Sequence, residues 1–575
     1  MRQQSQKIEN LLNLALEATE QELQESEELR VGFEQLTDTW EIIVKYTGDL
    51  KEKLEQEEDI KGTFLFNQYA ILEVPKKKLQ KIATFWEINY IEKPKSLFFE
   101  TTKAVESSCV NAVTEGKLQL SGEGVLIAII DSGIDYRHPA FLDRQGKSRI
   151  SSIWDQSIEP TRENSFHFPQ GYGLGSEFHR EEINEAIREN NEKKVPSIDL
   201  SGHGTHVAGI AASIAKKAEF VVVKLGMSKK NSFPRTTQLM QAVDYCVKQA
   251  VALKKPIAIN LSFGNNYGSH SGDSLLEQYL DQVSGVGKNC LIAGTGNEGF
   301  SAGHTSGRLN KKKTTEIQLG IGYYETNLNL QIWKDYSDQF IITIQNPSEE
   351  FQVIIEPKTR AMRYYMGESS LLVYYGEPRP FSVYQEVYID FLPRNQYVEP
   401  GIWKLFFTPM EIKEGSYNLW LPVQETLSTG TGFLYPSEDT TLTIPSTAAK
   451  VITVGAYDAY YDSYASFSGR GYTRQTNQVK PDLVAPGIEI RSATPGGGFS
   501  NRSGTSMATP IVTASAALLM EWGIVRENDP NLYGEKVKAY LIKGARQIPG
   551  FEEWPNPQMG WGALCLRDSL PMQTD

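Results

Sequence analysis

Five apolar runs constrain this chain most: VLIAII (125–130), FVVVKL (220–225), PIAINLS (256–262), NCLIAG (289–294) and AKVITVGAYD (449–458). Helix-like segments fall between them, from His203, near 236–252 and near 274–284. A strand with one wet face alternates apolar and polar residues. Strands apolar on both faces belong to a sheet covered on both sides, which in an alternating strand–helix pattern means a parallel sheet. The expected class is therefore α/β.

Two regions depart from that rhythm. Over residues 311–444 short period-two segments, among them LNLQIW, QFIITIQN, EVYIDFL and IWKLFFTP, follow one another across Pro, Gly, Asn and Asp turns without helices. That pattern predicts an inserted antiparallel sandwich or jelly roll. Near the N-terminus, Leu11, Leu12, Leu14 and Leu16 among acids and amides suit a surface helix within residues 7–30. WEIIVKY (40–46), FLFNQYAILEV (64–74), KKKLQKIATF (76–85) and EINYIEK (87–93) then predict a small β-β-α-β unit. A length of 575 residues exceeds what one core fills, so the expected division is 1–100, 101–310, 311–444 and 445–575, the second and fourth parts forming one α/β domain.

Composition excludes several classes of function. With 58 basic against 71 acidic residues the formal charge is −13, and no basic tract interleaved with aromatics could follow a phosphate backbone, so nucleic acid is not expected as a partner. The N-terminal thirty residues are charged throughout, with neither a signal-peptide core nor a membrane span, which predicts a cytoplasmic protein without a membrane partner. Cys109, Cys246, Cys290 and Cys565 show no CxxC pair and read as buried thiols.

Three polar residues end up in glycine-rich turns of this apolar frame. Asp131 closes the strand in IAIIDSGIDYRHPAF, His203 opens the helix in DLSGHGTHVAGIAASI, and Ser506 opens another in SGTSMATPIVTASAALLM. Taken singly, each suits a turn or a helix cap. Taken together they supply what a serine nucleophile needs: an imidazole to take its proton and a carboxylate to orient that imidazole. His206, three residues after His203, lacks an acidic third ligand and an HExxH frame, so neither metal nor cofactor is expected.

Six motifs in this order, DSGID, HGTHVAG, INLSFG, AGTGNEG, KPDLVAPG and GTSMATP, resemble those of the subtilisin-like serine proteases, the subtilases. The resemblance implies an α/β subtilisin-like parallel sheet with helices on both faces, with Ser506 as nucleophile, His203 as general base and acid, and Asp131 as the orienting carboxylate. It implies that Asn297 donates its side-chain amide to the oxyanion beside the Ser506 N–H. Ser262, Phe263 and Gly264, with Gly294, Thr295 and Gly296, would line a cleft where an extended peptide adds as a strand. The unit at 38–93 resembles a subtilase prosegment, which assists folding and then occupies the cleft, with self-cleavage around residues 96–103.

The prosegment, the insertion GYGLGSEFHREEINEA (171–186) and the jelly roll ahead of KVITVGAYD are similar to the Csp group of spore-forming clostridia and related gut Firmicutes. Members of that group process the zymogen of a spore-cortex lytic enzyme during germination, and others are pseudoproteases that sense germinants. Two elements that hold calcium in secreted subtilases are replaced here, by HPAF with Ala140 and by a direct run through AASIAKKAEFVVVKL. A retained prosegment and the jelly roll are then the expected braces. The leading expectation is a monomeric, self-processing serine endopeptidase acting on a restricted protein substrate. The alternatives are a general housekeeping protease and a pseudoprotease serving as a binding module.

Overall fold

In the computed structural model, residues 7–19, 32–55, 57, 59–94, 100–226, 234–326, 328–358, 360–378, 380 and 382–571 are described. The chain divides into two compact units, residues 1–99 and 100–575.

The first unit is an antiparallel sheet with helices on one side. Its strands are β1 (Phe33–Glu34), β2 (Thr39–Tyr46), β3 (Lys61–Leu65), β4 (Tyr69–Pro75) and β5 (Ile88–Glu92), with β2 between β4 and β5. Trp40, Ile42 and Val44 alternate inward from β2 and meet Leu12 and Ala15 of α1 (Asn10–Glu17) and Leu79 and Ile82 of α2 (Leu79–Ala83). The segment 64–74, expected as one strand, is a hairpin: Asn67 and Gln68 take φ of 59° and 62°, and Leu65 pairs with Tyr69. Residues 20–30 of the expected surface helix lie outside the described residues.

The second unit is built on a nine-stranded sheet. Its members are β6 (Leu126–Asp131), β7 (Ile150–Asp155), β8 (Ser176–His179), β9 (Glu219–Lys224), β10 (Ile257–Leu261), β11 (Asn289–Gly294), and, after the insertion, three strands ending with Leu483–Pro486. The central order β11-β10-β6-β9-β7 is parallel throughout, and β8 joins the β7 edge antiparallel. β6 assigns its side chains to two layers. Ile127 and Ile129 pack with α3 (His203–Ile214) and a long later helix, whereas Leu126, Ala128 and Ile130 face α4 (Thr236–Leu253) and α5 (Leu275–Val283). This is the two-sided burial that the apolar runs require. The long helix, α6 (Thr505–Met520), is apolar enough with its extension to Val525 to span a membrane by composition, but it is 89% buried inside the unit.

The insertion folds as two antiparallel sheets over one core. In chain order its strands are β12 (His304–Arg308), β13 (Thr315–Ile321), β14 (Leu328–Asp335), β15 (Gln339–Gln345), β16 (Gln352–Ile355), β17 (Arg360–Met366), β18 (Ser369–Tyr375), β19 (Tyr384–Pro393), β20 (Gly401–Glu411), β21 (Ser416–Trp420) and β22 (Gly432–Phe433). The sheets run β12-β21-β14-β19-β18-β17 and β16-β15-β20-β13-β22. Leu330, Ile332 and Ile389 of the first interdigitate with Phe340, Ile342 and Leu405 of the second.

The cysteines divide, contrary to expectation. Cys109 and Cys565 form a disulfide across 456 residues, because the C-terminal segment folds back until the Leu566 N–H donates to the Ser108 carbonyl at 2.9 Å. Such a pairing leaves no local spacing to read. Cys246 and Cys290 are buried thiols, and burial pushes the Cys290 pKa up to about 12.

Candidate active site

In the sheet of the second unit the chain turns in opposite directions on the two sides of β6, toward β9 and β7 on one and β10 and β11 on the other. The carboxyl ends of β6 and β10 therefore flank a topological switch point, where parallel α/β sheets open a crevice. Asp131 is the last residue of β6 and Ser262 follows β10 directly.

Asp131 is buried, and its Oδ1 lies 2.7 Å from His203 Nδ1 while also accepting the Ser132 N–H. Its Oδ2 is buried without a hydrogen-bond partner among the described residues, so the imidazole is the side chain that faces this charge. Asp131 raises the His203 pKa above 6.5 and outweighs partial burial, which acts the other way. Gly204 makes the approach possible: a Cβ there would stand 2.2 Å from the Gly133 carbonyl oxygen and 3.1 Å from the Asp131 Cβ.

The start of α3 is organised by residues that the sequence reading passed over. Asp199 Oδ1 accepts from Ser132 Oγ (2.8 Å) and the Gly202 N–H (2.9 Å), and its Oδ2 accepts from the Thr205 N–H (2.8 Å) and Oγ1 (2.7 Å). Burial alone would raise this carboxyl, but the Thr205, Ser132 and Gly202 bonds hold it below its ordinary value. Ser132 Oγ in turn accepts the Gly204 N–H at 2.9 Å. The legible signal was an aspartate four residues before His203, within capping reach of the helix start. His206 sits deeper, bonded to the Ser500 carbonyl at 3.0 Å, and burial pushes its pKa down to about 4, so it packs as a neutral ring.

Ser506 occupies the first turn of α6. Gly504 before it has φ 150°, a backbone that favours glycine. Pro510 lies inside the helix and has no N–H for the Ser506 carbonyl. Ser262 Oγ supplies the missing donor at 3.3 Å. The Ser506 hydroxyl itself donates to the Ser262 carbonyl at 3.0 Å and makes no hydrogen bond to His203 among the described residues. Ser506 and His203 thus sit beside one crevice without being joined.

Asn297 follows β11 and is exposed. Its Oδ1 accepts from the Thr505 N–H (3.1 Å) and Oγ1 (3.3 Å), which orients the amide NH₂ away from that pair and leaves it free to donate. Its neighbour Glu298 is buried, and burial raises its pKa; the carboxylate accepts the Gln424 N–H at 3.2 Å, tying the exit of the insertion to this loop.

The remaining predicted residues flank the crevice in two ways. Ser262, Phe263 and Gly264 follow β10 with the Gly264 backbone exposed. Gly294 and Thr295 are buried: Gly294 packs against Thr505 and Thr509, and the Thr295 carbonyl is taken by the Thr443 N–H at 2.9 Å. The Gly296 carbonyl accepts the Gly469 N–H at 2.9 Å. Thr443, unmarked by any motif, thus joins the crevice wall.

A family model described as "Csp protease B prodomain" matches residues 6–95, and one described as "Subtilase family" matches residues 122–371 and 430–562. Among solved structures, the Clostridium perfringens CspB protease is similar at 37% identity, covering 81% of this chain and 96% of that one with a TM-score of 0.74. Among curated proteins, the minor extracellular protease Vpr of Bacillus subtilis (strain 168) is 21% identical over 477 residues, 79% of this chain and 52% of that protein. The serine protease AprX of the same organism is 35% identical over 153 residues, 23% of this chain and 32% of that protein. The chain spans about half the length of Vpr and less of AprX.

Proposed function

The chain belongs to the subtilase family as a Csp-type member with a CspB-like prosegment, and from that premise we propose that it is a serine endopeptidase acting through Ser506, His203 and Asp131. The observation that carries this reading is the 2.7 Å contact between His203 Nδ1 and Asp131 Oδ1 at the rim of the crevice that holds Ser506.

The chemistry follows from the atoms. A peptide lying along Ser262–Gly264 offers a backbone N–H to the Ser262 carbonyl, which at rest holds the Ser506 hydroxyl. Displaced from it, Oγ turns to His203 Nε2, gives up its proton and attacks the scissile carbonyl. Asp131 stabilises the imidazolium and keeps Nδ1–H directed at itself. Negative charge then develops on the substrate oxygen, which the Ser506 N–H at the start of α6 and the Asn297 amide receive. His203 returns the proton to the leaving amine, and water repeats the sequence on the acyl-enzyme.

In this reading residues 1–100 are the prosegment, released from the catalytic domain by a cut around residues 96–103 and retained in the cleft. The substrate is restricted, for example the proform of another enzyme such as a spore-cortex lytic enzyme. The resting Ser506–Ser262 bond suits a protease that stays silent until the right peptide arrives. Purified wild-type protein is expected to run as two fragments on a denaturing gel, with N-terminal sequencing of the larger one locating the cut, while Ser506→Ala runs as one chain. Wild-type protein that stays intact would instead support a pseudoprotease.

A further inference from the structure

Seven histidines occur in the sequence. Five are spoken for: His203 faces Asp131, while His138, His206, His270 and His304 are buried and bonded within the second unit. His167 and His179 are exposed, and they meet at the carboxylate of Glu177.

Strand geometry brings the three together. Glu177 and His179 are two residues apart on β8 and so share one face of the sheet edge. Along the other side of β8 the Glu177 N–H donates to the His167 carbonyl at 3.1 Å, so the preceding loop runs beside the strand as a neighbour would. One ligand atom from each residue lies within 4.8 Å of the other two, and His179 Nε2 is 3.7 Å from Glu177 Oε2. The imidazole rings are 6.1 Å apart, inclined at 33°.

Glu177 is buried, and its two oxygens are used differently. Oε1 accepts the Tyr245 hydroxyl (2.6 Å) and Gln249 Nε2 (3.0 Å), with Tyr245 also 2.9 Å from Ser152 Oγ. Oε2 is left facing the two imidazoles, with no lysine or arginine in ion-pair range among the described residues. One oxygen held by a fixed outer layer of donors and the other turned toward two histidines is the arrangement by which proteins orient a metal-binding carboxylate.

We propose that His167, Glu177 and His179 bind one divalent ion of the zinc class, with water completing the coordination. Two imidazoles and a carboxylate are the borderline donors such ions prefer over magnesium or calcium. Metal bonds of about 2.0–2.1 Å put tetrahedral ligand atoms about 3.4 Å apart, so the exposed imidazoles have about an ångström to close. The ion fastens the 157–175 loop over the outer edge of β8 and fixes the entry to the helix Arg180–Arg188, which begins at the residue after His179. The site shares no residue with the proposed triad, and its function is to clamp this edge.

The test uses the full chain carrying Ser506→Ala to prevent self-cleavage, without an affinity tag, stripped with a chelator and titrated with zinc chloride against a chromophoric chelator at neutral pH. One equivalent is expected to bind and to raise the melting temperature by about 2–5 °C. The additional pair His167→Ala/His179→Ala, at exposed positions, is expected to keep the metal-free melting temperature while weakening binding at least about tenfold and abolishing the shift. No stoichiometric binding, or equal binding by the histidine variant, would overturn the proposal; the latter would place the ion elsewhere.

Discussion

At Ser506 the free protein keeps its hydroxyl on the Ser262 carbonyl, 3.0 Å away, so the proposed mechanism depends on neighbours already in place when substrate releases it. Asn297 is one of them, oriented by Thr505 but otherwise exposed. Asn297→Ala is expected to fold normally and to lower kcat by about 10²–10³, or about 2.7–4 kcal/mol, a scale set by subtilisin itself and carried over. Normal kcat in that variant would remove Asn297 from the oxyanion site. His203 gives a second prediction. Only the neutral imidazole can take the Ser506 proton, and Asp131 raises the His203 pKa, so the acidic limb of kcat/KM is expected to have its midpoint above pH 6.5. Asp131→Asn should lower that midpoint as well as the rate. At this scale Asp131, His203, Asn297 and Ser506, the residues to which the proposal gives charge or attack, stand out in the sequence because each lies in a glycine turn that leaves a pattern. Ser132 and Thr443 were not legible, since they work by holding backbone N–H and carbonyl groups, a role that leaves no spacing; Asp199 left only its place four residues before His203.

At the scale of elements, the loop after β10 is braced by the insertion. Trp420 of β21 stacks between His270 of that loop, at 4.1 Å, and His304 of β12, at 4.7 Å. Asn266 donates to the Leu421 carbonyl at 3.2 Å, and Gln331 of β14 donates to the Asn266 carbonyl at 3.0 Å. Trp420→Ala is therefore expected to cost about 3–5 kcal/mol in denaturant unfolding and, by loosening the cleft edge, to raise KM more than it lowers kcat. An unchanged KM would detach the insertion from substrate binding. The parallel strands were readable because both their faces are buried. β12, with the sequence HTSGR, was not, because its partners β21 and the Trp420 stack hold it rather than any apolar alternation. The hairpin at 64–74 was hidden for another reason: Asn-Gln in left-handed conformation makes a turn without Gly or Pro.

For the whole molecule, acid is the natural stress. His206, His270 and His304 are pushed by burial to about 4, 3 and 4, all below the 6.5 of an exposed ring. As pH falls below 6.5 the unfolded chain takes up protons that the folded one refuses, so stability is expected to fall from there toward pH 4, with a slope approaching about 4 kcal/mol per pH unit. Denaturant melts at pH 7, 6 and 5 check this, and a flat profile would contradict it. Class and family were legible at this scale, but the Cys109–Cys565 bond was not, because closure of a chain over 456 residues is a property of the folded path alone. The central claim is that His203 and Asp131 make Ser506 a nucleophile. The most direct measurement is labelling of the purified protein with a fluorophosphonate, followed by peptide mass spectrometry. The account predicts one adduct, on Ser506, lost in His203→Ala while that variant stays folded; no adduct on the wild-type protein, or one that survives loss of His203, would contradict it.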